Sequence, residues 1–247
     1  MFTPYVADGI HRITHAHVNC YLVEDDDGVT LVDAGLPSMW PMLLAALEDR
    51  GRRPDQVRAL VLTHAHFDHV GFARRAQEEW GVPVLGHPAD ARLAAHPYRY
   101  RPERNRFLYP FGHPRSLPLL GRMAAAGALA VKGVRDLSPL ETGTALPVPG
   151  RPVVVHTPGH TDGHCILDLP DRGAVLSGDA LVTLDPYTGR RGPQIVAAAA
   201  TADTAVALGS LDAVAATGAG TVLPGHGDRW TQGAEAAARH ARAVGAH

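Results

Sequence analysis

The chain has 247 residues, 45% of them hydrophobic and 19% charged, with a formal net charge of −2, which is the composition of a folded protein rather than a disordered or fibrous one. No global basic field is available to hold a polyanion, so the charge gives no reason to expect nucleic acid as a partner. The longest apolar stretch, near Met123 to Val131, is too short to span a bilayer. The start, Met1-Phe2-Thr3-Pro4-Tyr5, lacks the basic-then-apolar pattern of a signal peptide. Cys20 and Cys165 each sit in an apolar, strand-like context, as reduced core thiols do. The expectation is a soluble, cytoplasmic protein with a small-molecule substrate and neither nucleic acid nor membrane as partner; a homodimer is left open.

The first segment alternates strands with tight turns. Gly9 to Thr14 and Cys20 to Val23 read as strands, and Asp25-Asp26-Asp27-Gly28 is a hairpin-type turn. Val29 to Val32 is a short apolar run that ends in Asp33-Ala34-Gly35. Trp40, Leu43, Leu44 and Leu47 fall at helical spacing within Trp40 to Arg50, with Ser38 as the expected cap. A strand over Val57 to Leu62, a helix over Phe72 to Trp80 stopped by Gly81, and a strand over Val82 to Leu85 complete an α/β pattern. Residues 88–140 lose this regularity. They are rich in arginine, proline and aromatics, with one alanine-rich helix expected over Leu119 to Val131, and they read as a lid-like insertion. Regular spacing then resumes. Strands are expected at Pro152 to His156, Cys165 to Leu169, Gly173 to Ser177 and Thr221 to Leu223, and helices at Thr201 to Thr217 and Ala234 to Val244. No linker divides the chain, so residues 1–247 are expected to form a single domain. The echo of Asp33-Ala34-Gly35 in Asp179-Ala180 hints at two halves packed face to face.

The chemistry concentrates at strand ends. Thr63-His64-Ala65-His66-Phe67-Asp68-His69 directly follows an apolar strand. Burying three imidazoles and a carboxylate in six residues is costly unless something compensates them, and a divalent metal does so. His160, Asp179 and His226 follow three later strands, each with glycine or proline close by. One such motif is weak evidence, but four in order are not expected by chance. Two divalent ions about 3.5–4 Å apart share a hydroxide and polarise a carbonyl. The all-nitrogen-and-oxygen donor set suits zinc and also admits iron or manganese.

With these motifs in place the chain resembles the metallo-β-lactamase fold superfamily, which includes the glyoxalase II type hydrolases. The resemblance runs from Asn19-Cys20-Tyr21-Leu22-Val23 to Pro224-Gly225-His226. It implies an α/β fold of the four-layer αββα sandwich kind, two mixed sheets flanked by helices with the metal site at one edge. It also implies that His64, His66 and His160 hold one ion, that Asp68, His69 and His226 hold the second, and that Asp179 bridges them. The activity implied is that of a dinuclear metallohydrolase cleaving an ester, thioester or lactone through a metal-bridging hydroxide, with Asp68 as the catalytic residue that orients it. The same residues leave open an iron-dependent oxygenase on a thiol substrate, or a metal-dependent cyclase or lyase.

Departures from the family pattern narrow the substrate. Asp179 stands where a β-lactamase of the commonest type has a cysteine, which argues against β-lactams. Val182 stands where acyl-homoserine lactonases typically carry a tyrosine, the nearest being Tyr187. Arg229, Arg239 and Arg242, with no lysine, are a poor match to the glutathione-holding residues of glyoxalase II. His17, Tyr187 and Arg190 are the candidate substrate contacts, on loops expected near the metal edge. Asp33 is the expected support for a ligand imidazole. His87, His96, His113, His156 and His164 read as structural or surface residues.

Overall fold

The computed structural model describes residues 1–106 and 109–247; Phe107 and Leu108, inside the expected insertion, lie outside the described residues. The first half of the chain builds one sheet. Its strands are β1 (Phe2–Ala7), β2 (Ile10–His15), β3 (Val18–Asp25), β4 (Gly28–Val32), β5 (Val57–Val61), β6 (Val84–Gly86) and β7 (Leu137–Pro139), and they lie side by side in that order. β1 to β4 are antiparallel, whereas β4 to β7 run parallel. The second half supplies β8 (Val153–His156), β9 (Cys165–Leu169) and β10 (Ala174–Gly178), then the small hairpin β11 (Val182–Leu184) with β12 (Arg191–Gln194), and finally β13 (Thr221–Pro224). Its main sheet has the order β13-β10-β9-β8, with β10 and β13 parallel and the other pairs antiparallel. Both sheets are therefore mixed.

Strand alternation explains why they stack. Tyr21, Val23, Ala59 and Val61 face Cys165, Leu167, Ala174, Leu176 and Leu223 in the apolar layer between the sheets. Their neighbours Cys20, Leu22, Leu60 and Leu62 face outward, against α1 (Trp40–Asp49) and α2 (Ala73–Trp80). Ile166, Val175 and Val222 likewise face α6 (Thr204–Ala216) and α7 (Ala234–Val244). Helix, sheet, sheet and helix make four layers. β4 is buried at every position and β5 at all but Arg58, which is why both read as nearly continuous apolar runs.

Between β6 and β7 run α3 (Ala91–Ala95), α4 (Tyr109–Gly112) and α5 (Leu117–Met123). The helix expected over Leu119 to Val131 is shorter: α5 passes into a wide turn over Ala124–Ala128, where Gly127 takes a φ of 93° and ends it. Ser38 does not cap α1, because it lies inside a 3-10 turn, Pro37–Met39, and Met39 occupies the N-cap without a side-chain bond. The edge strands β1 and β7 and the hairpin β11–β12 lack a clear apolar alternation, so the sequence pattern does not mark them. Among the described residues no helix is long and apolar enough to cross a membrane.

Candidate metal centre

The ends of β5, β8, β10 and β13 point the same way, and each runs into a loop that carries part of the site. The β5 loop brings His64, His66, Asp68 and His69; the β8 loop brings His160; Asp179 follows β10 and His226 follows β13. All seven residues are buried, none more than 6% exposed. Their donor atoms form three overlapping groups, each within 4.8 Å: His64, His66 and His160; His64, His69 and Asp179; Asp68, His69 and His226. Asp179 lies between the others. Its Oδ2 is 3.3 Å from His226 Nε2, 3.4 Å from His160 Nε2 and 3.9 Å from His64 Nε2, and its Oδ1 is 3.6 Å from His69 Nε2. His226 Nε2 is also 3.3 Å from Asp68 Oδ2.

The donor set fits metal ions by one clear test. The Nε2 atoms of His64, His66, His69 and His160, and Oδ1 of Asp179, are buried with no hydrogen-bond partner. Leaving that many buried polar atoms unpaired in one place is expensive, unless cations supply the partner. For His64, His69, His160 and His226 the opposite ring nitrogen is already held. His64 Nδ1 meets Thr63 Oγ1 at 3.1 Å, and His69 Nδ1 meets Asp33 Oδ2 at 2.9 Å. His160 Nδ1 meets Thr201 Oγ1 at 3.2 Å, and His226 Nδ1 meets the carbonyl of His17 at 2.8 Å. Such outer partners aim the free nitrogen inward.

The electrostatics agree. Burial drives the pKa of His64 and His160 well below the ordinary value and that of His66 down to about 4, so these rings are neutral, as ligands must be. Burial opposes the charged form of Asp68 and Asp179, but the facing histidines outweigh it and hold both carboxylates below the usual range. Burial also opposes the cations of His69 and His226, yet the carboxylates prevail: Asp179 and Asp33 raise His69 to about 9, and Asp179 and Asp68 raise His226 well above its ordinary value. The carboxylates thus attract positive charge into the cluster, which is the condition for holding a dication.

Several supports had no sequence signal. Asp90, 3% exposed, accepts hydrogen bonds from Ala65 N (3.1 Å), Thr161 Oγ1 (2.8 Å) and Gly163 N (2.9 Å), so it fastens the β5 loop to the β8 loop. Asn19 donates through Nδ2 to the carbonyls of Pro224 and Gly227, and Tyr21 Oη donates to Pro224, so a strand of the first sheet holds the loop of His226 in the second. His164, structural as expected, accepts at Nε2 from the backbone of Asp179 (3.0 Å) and Ala180 (3.2 Å). Gly225 is needed for space: a Cβ there would lie 2.2 Å from Asp179 Oδ1 and 2.7 Å from His69 Cε1. Asp33 takes a left-handed φ of 61°, which puts both its oxygens on Thr63 and one on His69.

Aromatic side chains line one side of the cluster. Tyr100 lies 4.3 Å from the His66 ring between centroids, Tyr98 stacks on Phe67 at 5.7 Å, and Tyr187 Oη sits 3.3 Å from Tyr100 Oη. Phe67, Tyr100 and Tyr187, with Asp68, Asp179 and His226, border a chamber of about 10 Å³. Of the candidate substrate contacts, Tyr187 borders this chamber. His17 does not: its carbonyl holds His226, while its ring Nε2 lies 3.1 Å from Arg122. Arg190 is exposed and lines a separate surface depression with His113 and Arg115.

A family model, the metallo-beta-lactamase superfamily, matches residues 13–226. The chain belongs to that superfamily. A probable metallo-hydrolase of Bacillus subtilis, YflN, is 30% identical over 186 residues, which is 72% of this chain and 66% of that protein. A hydroxyacylglutathione hydrolase of Cereibacter sphaeroides is 30% identical over 165 residues, 66% of this chain and 48% of that one. The chain matches roughly two thirds of the length of its first curated relatives, at 66%, 67% and 61%. Among solved structures, a superfamily member from Thermus thermophilus has a TM-score of 0.67 at 27% identity, over 96% of this chain and 80% of that one. The protein TTHA1623, solved in a di-iron-bound form, has a TM-score of 0.63 at 30% identity, over 91% and 95% of the two chains. Membership in a superfamily made up mostly of hydrolases and the convergent His/Asp cluster together identify a metal-binding hydrolase family.

Proposed function

We propose that the chain is a dinuclear metal-dependent hydrolase of an ester, thioester or lactone. The observation that carries this reading is the convergence of unpartnered ligand atoms around Asp179. His64, His66 and His160 would hold one divalent ion, Asp68, His69 and His226 the other, and Asp179, within 4 Å of histidines from both groups, would serve both. The nitrogen and oxygen donors suit zinc, with iron or manganese as the other candidates, and the two irons of TTHA1623 support the count of two. When bound, such ions supply a Lewis acid for a carbonyl and hydroxide at neutral pH.

The chain's own residues do the remaining work. Asp68 stays ionised, with Oδ2 turned to His226; its Oδ1 is the acceptor that orients the attacking water and takes its proton. That proton is then available to the departing alkoxide or thiolate. Tyr100 and Tyr187 keep bulk water off the chamber. Elemental analysis of purified protein is the first test, with about two ions per chain expected; protein that takes up no stoichiometric zinc, iron or manganese refutes the reading. Asp68→Ala, assayed on activated thioesters and lactones, is expected to lose about 10²–10⁴-fold in kcat with the fold retained, and unchanged turnover removes its role.

A further inference from the structure

Beside the ligand cluster lies a second cavity, of about 290 Å³, with His66 and His160 in its wall. It therefore adjoins the place where a substrate carbonyl would sit. Arg92, Arg99 and Arg101 also line it. Among the described residues none of these three guanidiniums is in an ion pair or a side-chain hydrogen bond. The carboxylates in the wall are Asp90 and Asp162. Asp90 is committed, since both its oxygens accept bonds from the ligand loops, which leaves Asp162 against three cations.

The segments that carry the arginines are anchored to the site itself. Arg92 lies on α3, which follows directly from Asp90 and so from the staple between the β5 and β8 loops. Arg99 and Arg101 flank Tyr100, whose ring packs on His66. On one side of them Tyr98 Oη donates to the carbonyl of Ala128. On the other, Glu103 N donates to Thr201 O and Arg104 N to Ala198 O. Thr201 is also the residue that holds His160. The backbone that carries the arginines is thus fastened to the same residues as the candidate ligands, which fixes where the three exposed side chains start and leaves their guanidiniums free to turn to an anion.

We infer that this cavity is an anion subsite: the acyl substrate carries a carboxylate or phosphate at the end remote from the scissile bond, and Arg99 and Arg101 receive it. Guanidinium forks match the geometry of both groups with paired charge-assisted hydrogen bonds. The volume lies at the low end for small-molecule pockets, so the group is the terminus of a short acid. The inference rests on the hydrolase reading and adds a substrate class to it.

Matched thioesters of one thiol test it: pentanoyl, glutaryl and 4-phosphooxybutanoyl N-acetylcysteamine, with metal-loaded wild type and the double variant R99Q/R101Q. Wild type is expected to favour an anionic thioester at least tenfold in kcat/KM over the pentanoyl one; whether glutaryl or phosphooxybutanoyl leads identifies the anion. The double variant is expected to lose 10–100-fold on the preferred substrate, mainly in KM, with a loss at least tenfold smaller on the pentanoyl thioester. Equal use of neutral and anionic thioesters by wild type, or equal losses in the variant, overturns the subsite. Calorimetry of the metal-loaded protein with glutarate and with inorganic phosphate reads the subsite without turnover. The metals contribute equally to both proteins, so an at least tenfold weaker Kd in R99Q/R101Q supports the arginines, and an equal Kd rejects them. If protein holding two ions hydrolyses none of these thioesters and no activated ester or lactone, the hydrolase reading fails while calorimetry still decides the subsite.

Discussion

Asp90→Ala is the most informative single change, because one carboxylate there holds two ligand loops that come from different sheets. Truncation removes three hydrogen bonds, from Ala65 N, Thr161 Oγ1 and Gly163 N, and leaves two backbone N–H groups buried without a partner. A hydrogen bond to a charged group contributes about 1.5–3 kcal/mol net, and an orphaned donor costs about 1–3 kcal/mol. These terms overlap, and they are offset because burial already disfavours the Asp90 anion, raising its pKa. A net loss of about 3–5 kcal/mol follows. In a chain of this size that corresponds to a Tm lower by roughly 6–20 °C. Loosened loops also misplace His64 and His66 relative to His160, so metal affinity is expected to fall about 10–100-fold, as for other supports of metal ligands. Urea unfolding and competition for zinc against a chelator measure the two effects. Asp90→Asn keeps one carbonyl oxygen and is expected to fall between wild type and Asp90→Ala. If Asp90→Ala unfolds within about 0.5 kcal/mol of wild type, the range of a neutral surface substitution, and binds zinc equally well, the staple does not act as argued.

Gly225→Ala places a methyl against Asp179 Oδ1 and His69; purified variant is expected to fold and to carry at least tenfold weaker metal, and wild-type metal content would contradict the close approach. Asp33→Asn tolerates the left-handed backbone but offers one acceptor oxygen where two are used, so His69 loses its anionic partner. Metal affinity at the Asp68–His69–His226 group is expected to drop about 10–100-fold, and an unchanged value by metal titration would show that Thr63 alone orients the loop. Glu24 provides a pH test away from the site. Burial opposes its charge, but hydrogen bonds from Arg50 and Arg52 and the facing His11 hold its pKa below the ordinary value. A carboxylate with a depressed folded pKa stabilises above its unfolded pKa and loses that contribution as the pH falls through the folded value. Glu24→Gln should therefore lower the urea midpoint at pH 7 and much less near pH 3; equal losses at both would rule out the charge as the cause.

How much of this was legible in the sequence differs between ligands and supports. His64 to His69, His160, Asp179 and His226 stand out because ionisable side chains at the ends of apolar strands have no packing rationale. The central strands and α1, α2, α6 and α7 were legible within a few residues, since burial on one or both faces imposes a period on the chain. The strands β1 and β7 and the hairpin β11–β12 were not. β7 has three residues, Leu137–Pro139, two of them exposed, and it acquires its identity by pairing with β6. Asp90 and Thr201 were equally silent, because a single polar residue in a loop looks the same whether it faces water or closes a network.

The sequence by itself determined the donor chemistry, an α/β pattern through its apolar periods, and the order in which candidate ligands follow strands, while the αββα layering was implied by the family resemblance. Only the tertiary structure decided that the other six candidate ligands gather with Asp179, that Asp90 joins two of their loops and Asn19 and Tyr21 anchor a third, and that His17 contributes its carbonyl to His226 while its side chain turns to Arg122. The reason is physical. Periodicity and donor type are properties of neighbouring residues along the chain, whereas convergence depends on contacts between segments as far apart as residues 17 and 226, which exist only once the two sheets have stacked.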